Sequence, residues 1–117
     1  MPSPLVIVLT MDDLAHSFAM AAELREAGLR AEAYVGARKF GDQLKYADKR
    51  GAAIAVIEGA DERAAGKVTL KDLKRGAELS MTVGSRSEWL GERQAQVTVE
   101  RDRLVAEAKA ILTRGRW

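Results

Sequence analysis

The 117-residue sequence predicts an α/β domain: a mixed, five-stranded sheet flanked by about three helices. Three observations carry that prediction. Leu5-Val6-Ile7-Val8-Leu9 is an uninterrupted β-branched and leucine run, the pattern of a strand buried on both faces in a parallel sheet. Helix-period and strand-period segments then alternate as far as Ile57, which implies parallel strands joined by right-handed crossovers. The linker from Gly59 to Gly66 is too short for a helical crossover, so the strand after it returns antiparallel and makes the sheet mixed.

Each element follows from its own residues. Thr10 to Asp13 offers capping oxygens, Leu14, Phe18 and Ala22 recur at helical spacing as the expected core face, and Gly28 supplies the stop. Arg30 to Val35 alternates Ala31, Ala33 and Val35 against Glu32 and Tyr34, a strand ended by Gly36. Phe40, Leu44 and Ala47 set the face of a second helix that Gly51 closes, and Ala53 to Ile57 is a third buried strand. Val68 to Lys71 forms the antiparallel return. Gln96 to Val99 reads as the last strand, and Leu104, Ala108, Ile111 and Leu112 mark a final helix, with Glu100 and Asp102 at its start and Arg114 near its end. Residues 1–117 read as one domain in which 73–93 is a poorly readable insertion, broken by Gly76, Gly84 and Gly91, with a short helix expected near Leu79.

Composition narrows the chemistry. Apolar residues make up 47% and charged residues 31%, which is ordinary for a folded domain. With no cysteine and a single histidine, His16, disulfide scaffolds, zinc fingers, iron–sulfur sites and cysteine nucleophiles are excluded. No apolar run approaches the ~18 residues of a membrane span, and no basic residue precedes Leu5–Leu9. The expectation is a cytoplasmic protein with no membrane partner. The net charge of +2 says little, but its distribution says more. Residues 1–35 carry a balance of −3, whereas residues 36–50 carry +3 from Arg38, Lys39, Lys45, Lys49 and Arg50 against Asp42 and Asp48. A basic segment of that kind is the footprint of an anionic partner.

The motifs of nucleotide enzymes fail. Gly36 to Gly41 has phosphate-loop spacing, but Asp42-Gln43 stands where Lys and Ser or Thr are needed, and no Gly-x-Gly-x-x-Gly follows the first strand. Asp12 and Asp13 read as helix caps, since no second acidic strand end joins them for a metal, and His16 reads as an exposed structural residue off the Leu14/Phe18/Ala22 face. The second helix is more informative. Lys39, Gln43, Tyr46 and Arg50 share one stripe beside its core face, and cations with an exposed ring are what single-stranded nucleic acid asks for; the alternative is a solvated face with Tyr46 packed at its margin. Thr69 and Lys71 share the strand face opposite Val68 and Leu70, with Glu62 in the preceding loop, either as a base-edge reader or as a surface ion pair.

Four runs now become recognisable: Leu24-Arg25-Glu26-Ala27-Gly28-Leu29-Arg30-Ala31-Glu32, Gln43-Leu44-Lys45-Tyr46-Ala47-Asp48, Ile57-Glu58-Gly59-Ala60-Asp61-Glu62 and Gly66-Lys67-Val68-Thr69-Leu70-Lys71-Asp72-Leu73. In order and spacing through residues 5–75 they resemble the C-terminal anticodon-binding domain of histidyl-tRNA synthetase, a class II aminoacyl-tRNA synthetase. Glu88-Trp89 and Ala95-Gln96-Val97-Thr98-Val99 look like the longer C-terminal region of its proteobacterial form. Each motif is weak alone, while four in register on one β-α-β-α-β-β frame are specific.

The resemblance implies a class IIa anticodon-binding fold and a non-catalytic module that binds the anticodon loop of histidine tRNA. A separate catalytic domain of the parent histidine–tRNA ligase, a homodimer using ATP and magnesium, would do the aminoacylation. By carry-over, Glu62 and Lys71 look like a base-reading pair, and Lys39, Gln43, Lys45 and Tyr46 look like loop-contacting positions, with Arg50 continuing their stripe. No catalytic residue, metal site or cofactor of its own is expected in the chain. It is either a domain of a longer enzyme or a stand-alone paralogue. Two other classes are weighed: a regulatory or protein-interaction module that keeps the fold without binding tRNA, and a small nucleotide-binding enzyme, against which the failed phosphate motifs argue.

Overall fold

The computed structural model describes residues 4–9, 14–36, 39–73 and 96–114. Its elements are β1 (Leu5–Val8), α1 (Leu14–Glu26), β2 (Arg30–Ala33), α2 (Phe40–Lys49), β3 (Ile54–Ile57), α3 (Ala60–Ala64), β4 (Lys67–Asp72), β5 (Gln96–Glu100) and, after a 3-10 turn over Arg101–Arg103, α4 (Leu104–Arg114). The strands form one sheet in the order β2-β1-β3-β4-β5. β1 runs parallel to β2 and β3, and β4 is antiparallel to both β3 and β5. The predicted mixed, five-stranded sheet is therefore present. Among the described residues it carries four α-helices, because the Gly59–Gly66 link folds one short helical turn that the sequence reading omits.

β1 shows why a continuous apolar run becomes a central strand. Val6 and Val8 point into one core and Leu5, Ile7 and Leu9 into another, so the sheet is covered on both sides here. Each fully buried side chain contributes ~1.5–3 kcal/mol, which no half-exposed strand could collect. The first core lies between the sheet and α1 with α4, and takes Leu104, Ala108, Ile111 and Leu112 as their spacing predicts. The second lies under α2, around Tyr34, Ala47 and Ala52.

The helix ends follow the glycines. Gly28 and Gly51 adopt φ of 88° and 71°, conformations that other residues rarely reach. After each, the next N–H reaches back to close the turn, Leu29 to the Leu24 carbonyl and Ala52 to the Ala47 carbonyl, both at 3.0 Å.

Two helix faces differ from expectation. α1 buries Ser17, Met20, Ala21 and Leu24, while Leu14 and Phe18 are exposed, Phe18 at 49%. The helix is apolar on two sides, so periodicity alone chose the wrong one. α2 buries Gln43 and Ala47 and leaves Phe40 part-exposed, because its first turn overhangs the region where β3 meets β4. On β2 the strand stops at Ala33, Tyr34 is buried beneath α2, and Val35 is exposed. Of the expected insertion at 73–93, Leu73 packs against the second core and donates to the Ala53 carbonyl at 2.9 Å. Residues 74–93, with the helix expected near Leu79, and the proposed caps Asp12 and Asp13 lie outside the described residues.

Candidate functional site

α2 spans only part of the sheet's second face. Over β4 and β5 that face carries Thr69, Lys71, Gln96 and Thr98, polar residues that alternate with Val68, Leu70, Val97 and Val99 on the buried side. Thr69 and Thr98 stand opposite each other and share a hydrogen bond of 2.8 Å between their hydroxyls. On this strip Thr69 and Lys71 are buried and Gln96 and Thr98 exposed, and where it meets the end of β3 a cleft of about 380 Å³ is walled by Phe40, Ile57, Glu62, Thr69 and Gln96. A space of that size lies at the small end of ligand-binding clefts.

Local chain geometry puts Glu62 there. Gly59 precedes α3 with extended backbone, φ −80° and ψ 179°, and the helix turns its third residue back over it. A Cβ on Gly59 would lie 2.9 Å from Oε2 of Glu62, so the absence of a side chain leaves room for the carboxylate. An ionised carboxylate only accepts hydrogen bonds, so at this position it can take N–H donors from whatever enters the cleft.

The expected site residues do not all converge. Glu62 lines the cleft, and Lys71 stands next to it, on the face of Thr69 and directly opposite Gln96 in register, with 9% of its surface exposed. Lys39, the residue that precedes α2, and Lys45 on the helix are both exposed. Gln43 is not on the solvent stripe with them: at 3% exposure it belongs to the buried face, because α2 is rotated toward it. Tyr46 is 38% exposed and packs its ring edge-on against Tyr34, with centroids 5.3 Å apart and planes at 71°. It borders a different cleft, of about 450 Å³, beside Glu32 and Val35 at the end of β2. Arg50 forms an ion pair with Glu32 at the far end of α2.

Phe40 is the residue that sequence reasoning missed. Its i, i+4, i+7 relation to Leu44 and Ala47 marked it as core, yet the ring is 37% exposed on the wall of the Glu62 cleft. The available signal was its place in the first helical turn beside Lys39, where a helix overhangs the strands it covers.

Two polar pairs on the other face were also invisible in the sequence. His16, half exposed as expected but not unpartnered, brings Nδ1 within 3.0 Å of Oε1 of the buried Glu58. Arg101 forks onto both carboxylate oxygens of Glu23, and that hydrogen bonding, against a smaller opposing effect of burial, holds the Glu23 carboxyl below the usual carboxylate range. The same bonds raise the Arg101 guanidinium further above its already high value. Among the described residues no three His, Asp or Glu side chains gather to hold a metal ion.

The family model described as the anticodon binding domain matches residues 5–111, nearly the whole frame described above. The chain belongs to the anticodon-binding domain family. Its similar curated proteins include the histidine–tRNA ligase of Mesorhizobium japonicum, 48% identical over 111 residues, and that of Ruegeria pomeroyi, 52% identical over 108 residues. Each alignment covers 92% of the chain, but only 22% and 21% of the respective ligase. The anticodon-binding domain thus spans about a fifth of the length of these relatives. Among solved structures, the histidyl-tRNA synthetase of a Nostoc species superposes with a TM-score of 0.72 at 34% identity, over 95% of this chain and 23% of its own. The RNA binding domain of the threonyl-tRNA synthetase of Cryptosporidium parvum superposes with a TM-score of 0.65 at 14% identity, over 94% of this chain and 24% of that one, and shows the fold alone.

Proposed function

We propose that this anticodon-binding domain binds the anticodon loop of histidine tRNA, with the cleft walled by α2, α3 and the polar face of β4 and β5 as its base-reading site. The observation that supports the reading best is the cleft in which an aromatic ring, a carboxylate, a hydroxyl and an amide meet. Phe40 offers a face on which an unpaired base stacks, worth ~1–3 kcal/mol, while Glu62 accepts from its edge and Lys71 supplies the complementary donor. Lys39 and Lys45 hold phosphates on the approach side, where flexible point charges suffice. Gln43 supports α2 from within and is left out of direct contact.

The chain works as the recognition module of a histidine–tRNA ligase. A catalytic domain elsewhere in a homodimeric parent enzyme uses ATP and magnesium in the cytoplasm, and the module has no cofactor of its own. Among the described residues no helix is long and apolar enough to cross a membrane.

The test is binding of an anticodon stem-loop carrying the histidine anticodon, compared with the same stem-loop with altered anticodon bases, across a salt series. Glu62→Gln keeps shape but loses a charge-assisted bond, so preference for the histidine anticodon falls about tenfold, the equivalent of ~1.5 kcal/mol. Equal losses for both loops, or no change, would remove Glu62 from base reading. A second reading, a protein-interaction module, is favoured by one observation, the exposed Leu14 and Phe18 on the outer face of α1. It predicts no stem-loop binding at any salt concentration.

A further inference from the structure

Glu62 reads a base only if the turn that carries it is held still, and α3 cannot hold itself. The helix is five residues long and buries none of its own side chains. A single turn of helix is unfavourable without tertiary support, because fixing the backbone costs more than the few hydrogen bonds return. Gly59 at its start has no side chain with which to anchor it. Support therefore comes from the flanks.

The preceding flank is Glu58. Along β3, Ile54 and Val56 face the α1 side and Ala55 and Ile57 the cleft side, so the next residue returns to the α1 side. There the Glu58 side chain is only 7% exposed, and His16 Nδ1 lies 3.0 Å from its Oε1. The carboxylate is an acceptor, so the imidazole donates from Nδ1. Behind the sheet, His16, Glu58, Arg63 and Arg101 line a cleft of about 330 Å³. α3 is consequently straddled, with Glu62 on the front wall and Arg63 on the rear.

We propose that His16 is a positioning residue for base readout: its hydrogen bond to buried Glu58 pins, from behind the sheet, the β3–α3 turn that presents Gly59 and Glu62 to the cleft. This rests on the anticodon-loop reading above. Without the donor, Glu58 loses the His16 hydrogen bond and keeps the charge attraction of Arg101, toward which, and toward water, it swings to relieve the cost of burial. Ile57 and Gly59, its chain neighbours, move with it, and Glu62 loses its fixed place.

The experiment uses the whole chain with H16A and H16L, both of which delete the N–H, the second keeping apolar bulk. H16N is the rescue, since its amide N–H falls near the position of Nδ1–H. Stem-loops with the histidine anticodon and with altered anticodon bases are bound at fixed salt, and amide exchange is followed in the free protein. The expected result is a five- to tenfold fall in the preference for the histidine anticodon in H16A and H16L, as the loss of one buried hydrogen bond of about 1–1.4 kcal/mol implies. Affinity for the altered loop, set by phosphates, stays within about twofold. Exchange quickens at Gly59 to Glu62 and not in α4, and H16N restores both readouts.

An unchanged preference in H16A and H16L, an equal loss for both loops, or a failure of H16N to restore the preference would overturn the positioning role while leaving the anticodon reading intact. If the unsubstituted chain binds neither stem-loop, the anticodon reading itself falls and takes this role with it. Faster exchange spread over the whole sheet would assign His16 to general stability instead.

Discussion

At Gly59 an added Cβ would stand 2.9 Å from Oε2 of Glu62, so the carboxylate occupies space that any other residue would claim. The backbone there is extended and accommodates alanine without strain, which separates two effects that usually arrive together. Gly59→Ala is expected to shift stability by no more than about 0.5 kcal/mol, since only the far end of a flexible side chain must move. The same substitution displaces Glu62 and lowers preference for the histidine anticodon about as much as Glu62→Gln does. Thermal melting beside stem-loop binding checks both halves, and a preserved preference would mean that the carboxylate reads bases from another position. At this scale the sequence named Glu62 and Lys71 but cast Phe40 as core and Gln43 as surface. The two stand about 60° apart around the helix axis, so a rotation of less than one residue exchanges them, and rotation is set by what the helix lies on.

Helices α1 and α4 show when a face is legible. In α4, Leu104, Ala108, Ile111 and Leu112 are separated from polar residues by a single stripe, and all four are buried as their spacing requires. α1 offers two apolar stripes, Leu14/Phe18/Ala22 and Met20/Ala21/Leu24, and only packing against β1 and β2 selects the second. Leu24→Ala is therefore expected to cost roughly 2–5 kcal/mol by leaving a cavity between helix and sheet. Phe18→Ala should cost less than about 1 kcal/mol, since its ring already meets solvent. Denaturant titration of the two variants gives the comparison directly. A Phe18→Ala loss as large as that of Leu24→Ala would show that the outer stripe is covered in solution.

Across the whole molecule, the Glu23–Arg101 pair ties α1 to the turn that starts α4, residues 78 apart in sequence. The folded Glu23 carboxyl is held below its ordinary value, so the pair's contribution is present above the ordinary carboxylate range and is lost as pH falls through the lowered folded value. The pair is partly solvated, at 28% and 46% side-chain exposure, so its worth is ~0–1 kcal/mol and shrinks with salt. Melting temperatures of the unsubstituted chain and Glu23→Gln should differ by a few degrees near pH 7 and converge on acidification below pH 4. A gap that persists unchanged in acid would assign the difference to packing rather than charge.

The sequence by itself determined the kinds and order of the strands and main helices, the antiparallel return after Gly66 and the anticodon-binding family, because alternation, apolar runs and terminal glycines are local signals that survive in any context. It also placed Thr69 and Lys71 on one sheet face, since period-two alternation fixes facing once a strand is known, while Glu62, in the preceding loop, was paired with Lys71 as a base reader through the family resemblance. Only the tertiary structure decided which stripe of α1 and α2 is inward. The same packing opened the cleft at the overhang of α2 and brought His16 to Glu58, 42 residues away, and Glu23 to Arg101. Those outcomes depend on distances between elements remote in the chain, and a spacing rule reports only the geometry within one element.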